Sequence, residues 1–113
     1  MAHARAAEVR QTYLVEHYRP GLTVEALQQC AARIRVAADE VGREGKPVRY
    51  VRSTIVPADE SLLCLLEAAT EELVHETYAR AGIPFDRISP AILEAGEGRE
   101  QPPGAGGCAT ASN

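Results

Sequence analysis

The chain of 113 residues has no tryptophan, one phenylalanine and one methionine, so leucine, valine, isoleucine and alanine must fill its interior. It has no surplus of positive charge: 12 basic residues stand against 16 acidic ones, for a net charge of -4. Nucleic-acid binding draws on a dense positive field that displaces counterions, so that function is disfavoured, and so is an anionic membrane surface. No apolar run approaches the roughly 20 residues that span a bilayer. The first ten residues alternate alanine with charge and lack the apolar segment of a secretion signal, which points to the cytoplasm. The cysteines (Cys30, Cys64 and Cys108) are odd in number and far apart, unlike a disulfide framework or a zinc knuckle. Reduced thiols are expected, two of them packed inside. Ser53, Ser61 and Ser89 lack a Gly-x-Ser-x-Gly elbow, and no glycine-rich phosphate loop follows a strand. These gaps favour a binding protein over an enzyme.

What is present fits one domain. Residues 1–10 read as a flexible leader and 96–113, rich in glycine and proline, as a disordered tail unable to offset its ordering entropy. Between them, Gln11 to Tyr18 carries strand formers, and Pro20-Gly21 stops it. Thr23 stands where a helix cap belongs, and Val24, Leu27, Ala31, Ile34, Ala38 and Val41 recur at helical steps. Val48 to Val56 and Leu62 to Ala68 form a hairpin about the turn Pro57-Ala58-Asp59-Glu60. Thr70 caps a second helix with a stripe of Val74, Tyr78 and Ala81, and Gly82 closes it. Ile88 to Glu94 is a last strand, kept to an edge by Pro90. With right-handed crossovers this βαββαβ order is an α+β, ferredoxin-like domain over residues 11–95: a four-stranded antiparallel sheet with both helices on one face.

Setting Val56 opposite Ser61 puts Tyr50 across from Glu67, Arg52 from Leu65 and Thr54 from Leu63. Val51, Ile55, Leu62, Cys64 and Leu66 then face the helices. The outer face gathers Tyr50, Arg52, Thr54, Leu63, Leu65 and Glu67, joined by Leu14, Glu16 and Tyr18. A wetted face would alternate more cleanly to polar residues, so a second copy of the chain is expected to cover it. On that face Glu16, Tyr50, Arg52 and Glu67 make a candidate ligand-binding group, or interface ion pairs that fix how two chains dock. His17, ending the first strand, lies across from Cys64 or its neighbours, and imidazole with thiolate suits nickel or zinc. His75, beside Glu71, Glu72 and Glu76, reads as surface decoration, and His3 falls in the leader.

Several runs carry a resemblance: Tyr13-Leu14-Val15-Glu16, Pro20-Gly21-Leu22-Thr23, Val48-Arg49-Tyr50-Val51-Arg52-Ser53, Pro57-Ala58-Asp59-Glu60, Cys64-Leu65-Leu66-Glu67-Ala68 and Ala81-Gly82-Ile83-Pro84-Phe85-Asp86-Arg87-Ile88. Together they resemble a small bacterial ferredoxin-like family of unknown function that includes an actinobacterial nickel-binding protein. The resemblance spans nearly all of residues 12–94. It implies a homodimer and nickel, or another divalent transition metal, as ligand. The leading expectation is thus a small homodimeric nickel-binding protein without catalysis. A dimeric α+β barrel enzyme using Glu16, Tyr50, Arg52 and Glu67 on an organic substrate is one rival. A non-catalytic interaction or sensing module is another.

Overall fold

A computed structural model of the chain describes residues 10–94 and Gly96. The rest of the expected leader and tail, with His3 and Cys108, lies outside the described residues. The elements run β1 (Gln11–Tyr18), α1 (Val24–Arg43), β2 (Val48–Val56), a 3-10 turn (Pro57–Asp59), β3 (Ser61–Ala68), α2 (Glu71–Ala81) and β4 (Arg87–Ala91). The sheet has the order β2-β3-β1-β4 with every pair antiparallel, and α1 and α2 pack on each other and on the sheet. This is the ferredoxin-like arrangement.

Local chemistry fixes the helix ends. Thr23 Oγ1 accepts from the Ala26 amide at 3.0 Å and Thr70 Oγ1 from the Leu73 amide at 3.4 Å, each satisfying a donor the first turn leaves orphaned. Gly82 closes α2 at φ 71°, a left-handed conformation that costs a side chain energy. In α1 the buried stripe is Leu27, Ile34, Ala37, Ala38 and Val41, while Val24, expected to lead it, is exposed. On α2, Thr77 joins Val74, Tyr78 and Ala81, its hydroxyl donating to the Leu73 carbonyl at 2.8 Å. Arg80 reaches Glu44 at 2.6 Å and so ties α2 to the end of α1.

The hairpin turn is as expected, with Val56 opposite Ser61, Thr54 opposite Leu63 and Arg52 opposite Leu65. Between Tyr50 and Arg52 the register slips by a β-bulge. One extra residue on β2 reverses the faces before it, so Arg49 faces Glu67 and Tyr50 faces Leu66. The placement of Tyr50 on the outer face is therefore corrected: it turns toward the helices. Strand β4 stops at Ala91, opposite Thr12, because β1 begins at Gln11 and offers no strand residue for Leu93 or Glu94 to pair with. Among the described residues no helix is long and apolar enough to cross a membrane.

Candidate functional site

The sheet presents two different faces to chemistry. Across its outer face the register draws three rows: Arg87, Glu16, Leu63 and Thr54; Ser89, Leu14, Leu65 and Arg52; and Ala91, Thr12, Glu67 and Arg49. Leu14, Leu63 and Leu65 are half-buried by their neighbours in the sheet, while the helices lie over the other face. The two carboxylates are taken by arginines. Glu16 Oε2 lies 3.5 Å from Arg87 Nε, and Glu67 Oε1 lies 3.1 Å from Arg49 Nη2. Arg52 is exposed at the β2 edge of the middle row. Glu16, Arg52 and Glu67 thus share a face, and Tyr50 does not.

Under the helices the structure assembles a chain of polar groups. The bulge carries the Tyr50 hydroxyl to a hydrogen bond with Ser53 Oγ, and Ser53 Oγ is bonded in turn to Cys64 Sγ at 3.0 Å. From α2 the Tyr78 hydroxyl is buried without a hydrogen-bond partner. The Tyr78 ring packs on His17 with centroids 5.2 Å apart. Strand β1 places His17 opposite Leu62 and Val15 opposite Cys64, so His17 and Cys64 lie one step apart on the same inner face. His17 Nδ1 lies 2.8 Å from the Leu62 carbonyl oxygen, which can only accept. The proton is thereby fixed on Nδ1, and Nε2 keeps a lone pair with no partner.

Burial sets the charge state of the cluster. His17 and Tyr78 are each 1% exposed and Cys64 0%. Desolvation holds the His17 imidazole below its ordinary value of 6.5, against the opposing pull of the Leu62 carbonyl. It pushes the Cys64 thiol up from 9.0, Tyr50 up from 10.0, and Tyr78 well up from 10.0. At neutral pH the cluster is uncharged: a basic imidazole nitrogen, a thiol and two phenols.

The sequence reading named His17 and Cys64, and the structure sets Ser53 against Cys64 and Tyr78 against His17. Tyr78 was legible only as a core position on a helical stripe, and Ser53 only once the register across from Cys64 was known. His75 stays on the surface, bonded to Glu71 at 3.1 Å, with its ring on Phe85. A cleft of about 410 Å3 is lined by His75, Tyr78, Ile83, Pro84 and Phe85. A second, of about 320 Å3, touches His17 and is bordered by Glu16, Tyr18 and Asp86.

The donor types suit a borderline divalent metal, since imidazole and thiolate both bind nickel and zinc. The unpartnered Nε2 fits that role. A ligating imidazole commonly donates its other N–H to a carbonyl, as His17 does to Leu62. Among the described residues no three or more of His, Cys, Asp and Glu converge, so His17 and Cys64 alone would represent those residue types.

A family model described as "Nickel responsive protein SCO4226-like" matches residues 13–90, from the start of the buried part of β1 to Pro90 in β4. Among solved structures, that of SCO4226 from Streptomyces coelicolor A3(2) is similar at 26% sequence identity, with a TM-score of 0.58. The likeness covers 74% of this chain and 99% of that one, so the solved protein corresponds to the ferredoxin-like unit. No curated protein matches the chain.

Proposed function

The chain belongs to the SCO4226-like family of nickel responsive proteins, and from that premise we propose that it is a small binding protein without catalysis, whose ligand is nickel or a neighbouring divalent metal. The observation that carries the reading is His17: tautomer fixed by Leu62, Nε2 buried with its lone pair uncommitted. Cys64 is the second donor, and the hydroxyl of Ser53 can support a sulfur that gains negative charge. Binding must displace the thiol proton, so affinity rises with pH. Free thiols at Cys30 and Cys64 suit a reducing compartment, and the reading places the protein in the cytoplasm. A second copy covers the outer face over Leu14, Leu63 and Leu65, with the Glu16–Arg87 and Glu67–Arg49 pairs at its rim.

An enzyme of the α+β barrel type is disfavoured. Its four polar groups were to line one cavity, and Tyr50 lies on the opposite side of the sheet from Glu16, Arg52 and Glu67. Calorimetric titration of the chelator-treated protein with nickel and zinc tests the proposal. A saturable heat in the wild type that His17→Gln removes is the expected result. No heat from the wild type at micromolar concentrations overturns it.

A further inference from the structure

Arg49, Arg80 and Arg87 each face a carboxylate. Arg19 and Arg33 do not: among the described residues neither pairs with an acid, in a chain whose acids outnumber its bases 16 to 12. Each is held instead by a backbone carbonyl. Arg33 Nη2, from α1, donates to the Ala81 carbonyl at 2.5 Å, and Arg19 Nη2, just past β1, donates to the Pro84 carbonyl at 3.0 Å. Both guanidiniums are thus tied to the short segment 81–84 that leaves α2. Two acids near Arg19 in the fold hold the amides that flank it rather than its guanidinium. Asp86 Oδ2 accepts from the Tyr18 amide at 2.6 Å, and Glu60 Oε2 from the Gly21 amide at 3.2 Å.

The two arginines line one cleft of about 300 Å3, with Leu22, Ile83 and Pro84 as its apolar wall and Cys30 beside them. Cys30 and Arg33 stand three residues apart on α1 and share a face. Gly82 leaves the room in which the Arg33 guanidinium lies, since a Cβ there would stand 3.1 Å from Nη2. We propose that this cleft binds a small organic oxyanion: a carboxylate or phosphate carried on a short apolar body. A guanidinium offers five N–H donors in a planar fork that matches such oxygens two at a time. One donor on a carbonyl sets the fork's direction in advance and leaves the others for the ligand. Two positive charges without an acid between them attract an anion and repel a cation. The apolar body would cover Leu22, which stands 41% exposed. The proposal is independent of the nickel reading and stands or falls without it.

Titration of the full chain with phenyl phosphate and with benzoate, followed by amide NMR, tests it. The amides of Leu22, Cys30 and Ile83 should shift and saturate with at least one of the two, and the tighter one identifies the head group. Benzyl alcohol, neutral and of similar size, should leave them in place. Arg19→Gln and Arg33→Gln should each weaken binding about tenfold, the worth of one charge-assisted hydrogen bond. Arg33→Gln also frees the Ala81 carbonyl, so Arg19→Gln, whose bond to Pro84 is exposed, separates binding from folding. Cys30 gives a second readout by peptide mass spectrometry. Its alkylation by anionic iodoacetate, relative to neutral iodoacetamide, should exceed that of N-acetylcysteine amide about tenfold. No saturating shift from either oxyanion overturns the proposal. So does benzyl alcohol moving the same amides to the same extent, or an Arg19→Gln protein that binds both probes as the wild type does.

Discussion

Burial of three titratable side chains links the stability of the metal-free protein to pH at both ends of the neutral range. The folded pKa of His17 is depressed, so below 6.5 the unfolded chain binds a proton that the fold resists. Stability therefore falls as pH drops through 6.5 toward the folded pKa. The folded pKa of the Cys64 thiol is raised, so the unfolded chain is first to lose its proton, and stability falls as pH rises past 9.0. Tyr78 adds to that alkaline loss. Urea midpoints across pH should trace a plateau between 6.5 and 9.0, and His17→Gln should flatten the acidic flank. A wild-type acidic flank that survives unchanged in His17→Gln would assign the effect to other groups. Of these residues, His17 and Cys64 stood out in the sequence by chemical type, because few residues can ligate a metal. Tyr50 was misplaced because strict alternation assumes an unbroken ladder.

The elements were legible because their signals are local. A threonine before an apolar stripe, a glycine after it and a proline beyond act through neighbouring backbone groups, whatever the rest of the chain does. Gly82 shows how strong one such signal is. At φ 71° a Cβ would be strained, and it would also sit 3.1 Å from Nη2 of Arg33, which donates to the Ala81 carbonyl. Gly82→Ala should lower stability by about 1–2 kcal/mol, measured by urea unfolding. Thr23→Ala should cost about 1 kcal/mol through the lost cap. The bulge in β2 has no comparable local signature: Tyr50-Val51-Arg52 contains neither glycine nor proline, and an insertion shows only against the partner strand. The length of β4 was overestimated for a related reason, since its end is set by where β1 begins.

For the whole molecule, the outer sheet face carries three half-buried leucines, Leu14, Leu63 and Leu65. Apolar area removed from water gains about 25 cal/mol per Å2, and Leu14, Leu63 and Leu65 form a connected strip between two ion pairs. We expect the wild type to sediment as a dimer. Leu65→Glu, which leaves the inner core untouched, should weaken association more than tenfold, about 1.4 kcal/mol. A wild type that sediments as a single chain at high concentration removes this part of the proposal.

The order of elements, their caps, the hairpin turn and hence the antiparallel ferredoxin-like plan were written in the sequence, because each depends on residues a few positions apart. Tertiary structure alone decided the rest. It sent Tyr50 inward through the bulge, set Ser53 against Cys64, and packed the Tyr78 ring of α2 on the His17 ring of β1. Those contacts depend on how strands register and how a helix packs on them. Both are set by the summed fit of many side chains across the core, and no single segment records that sum.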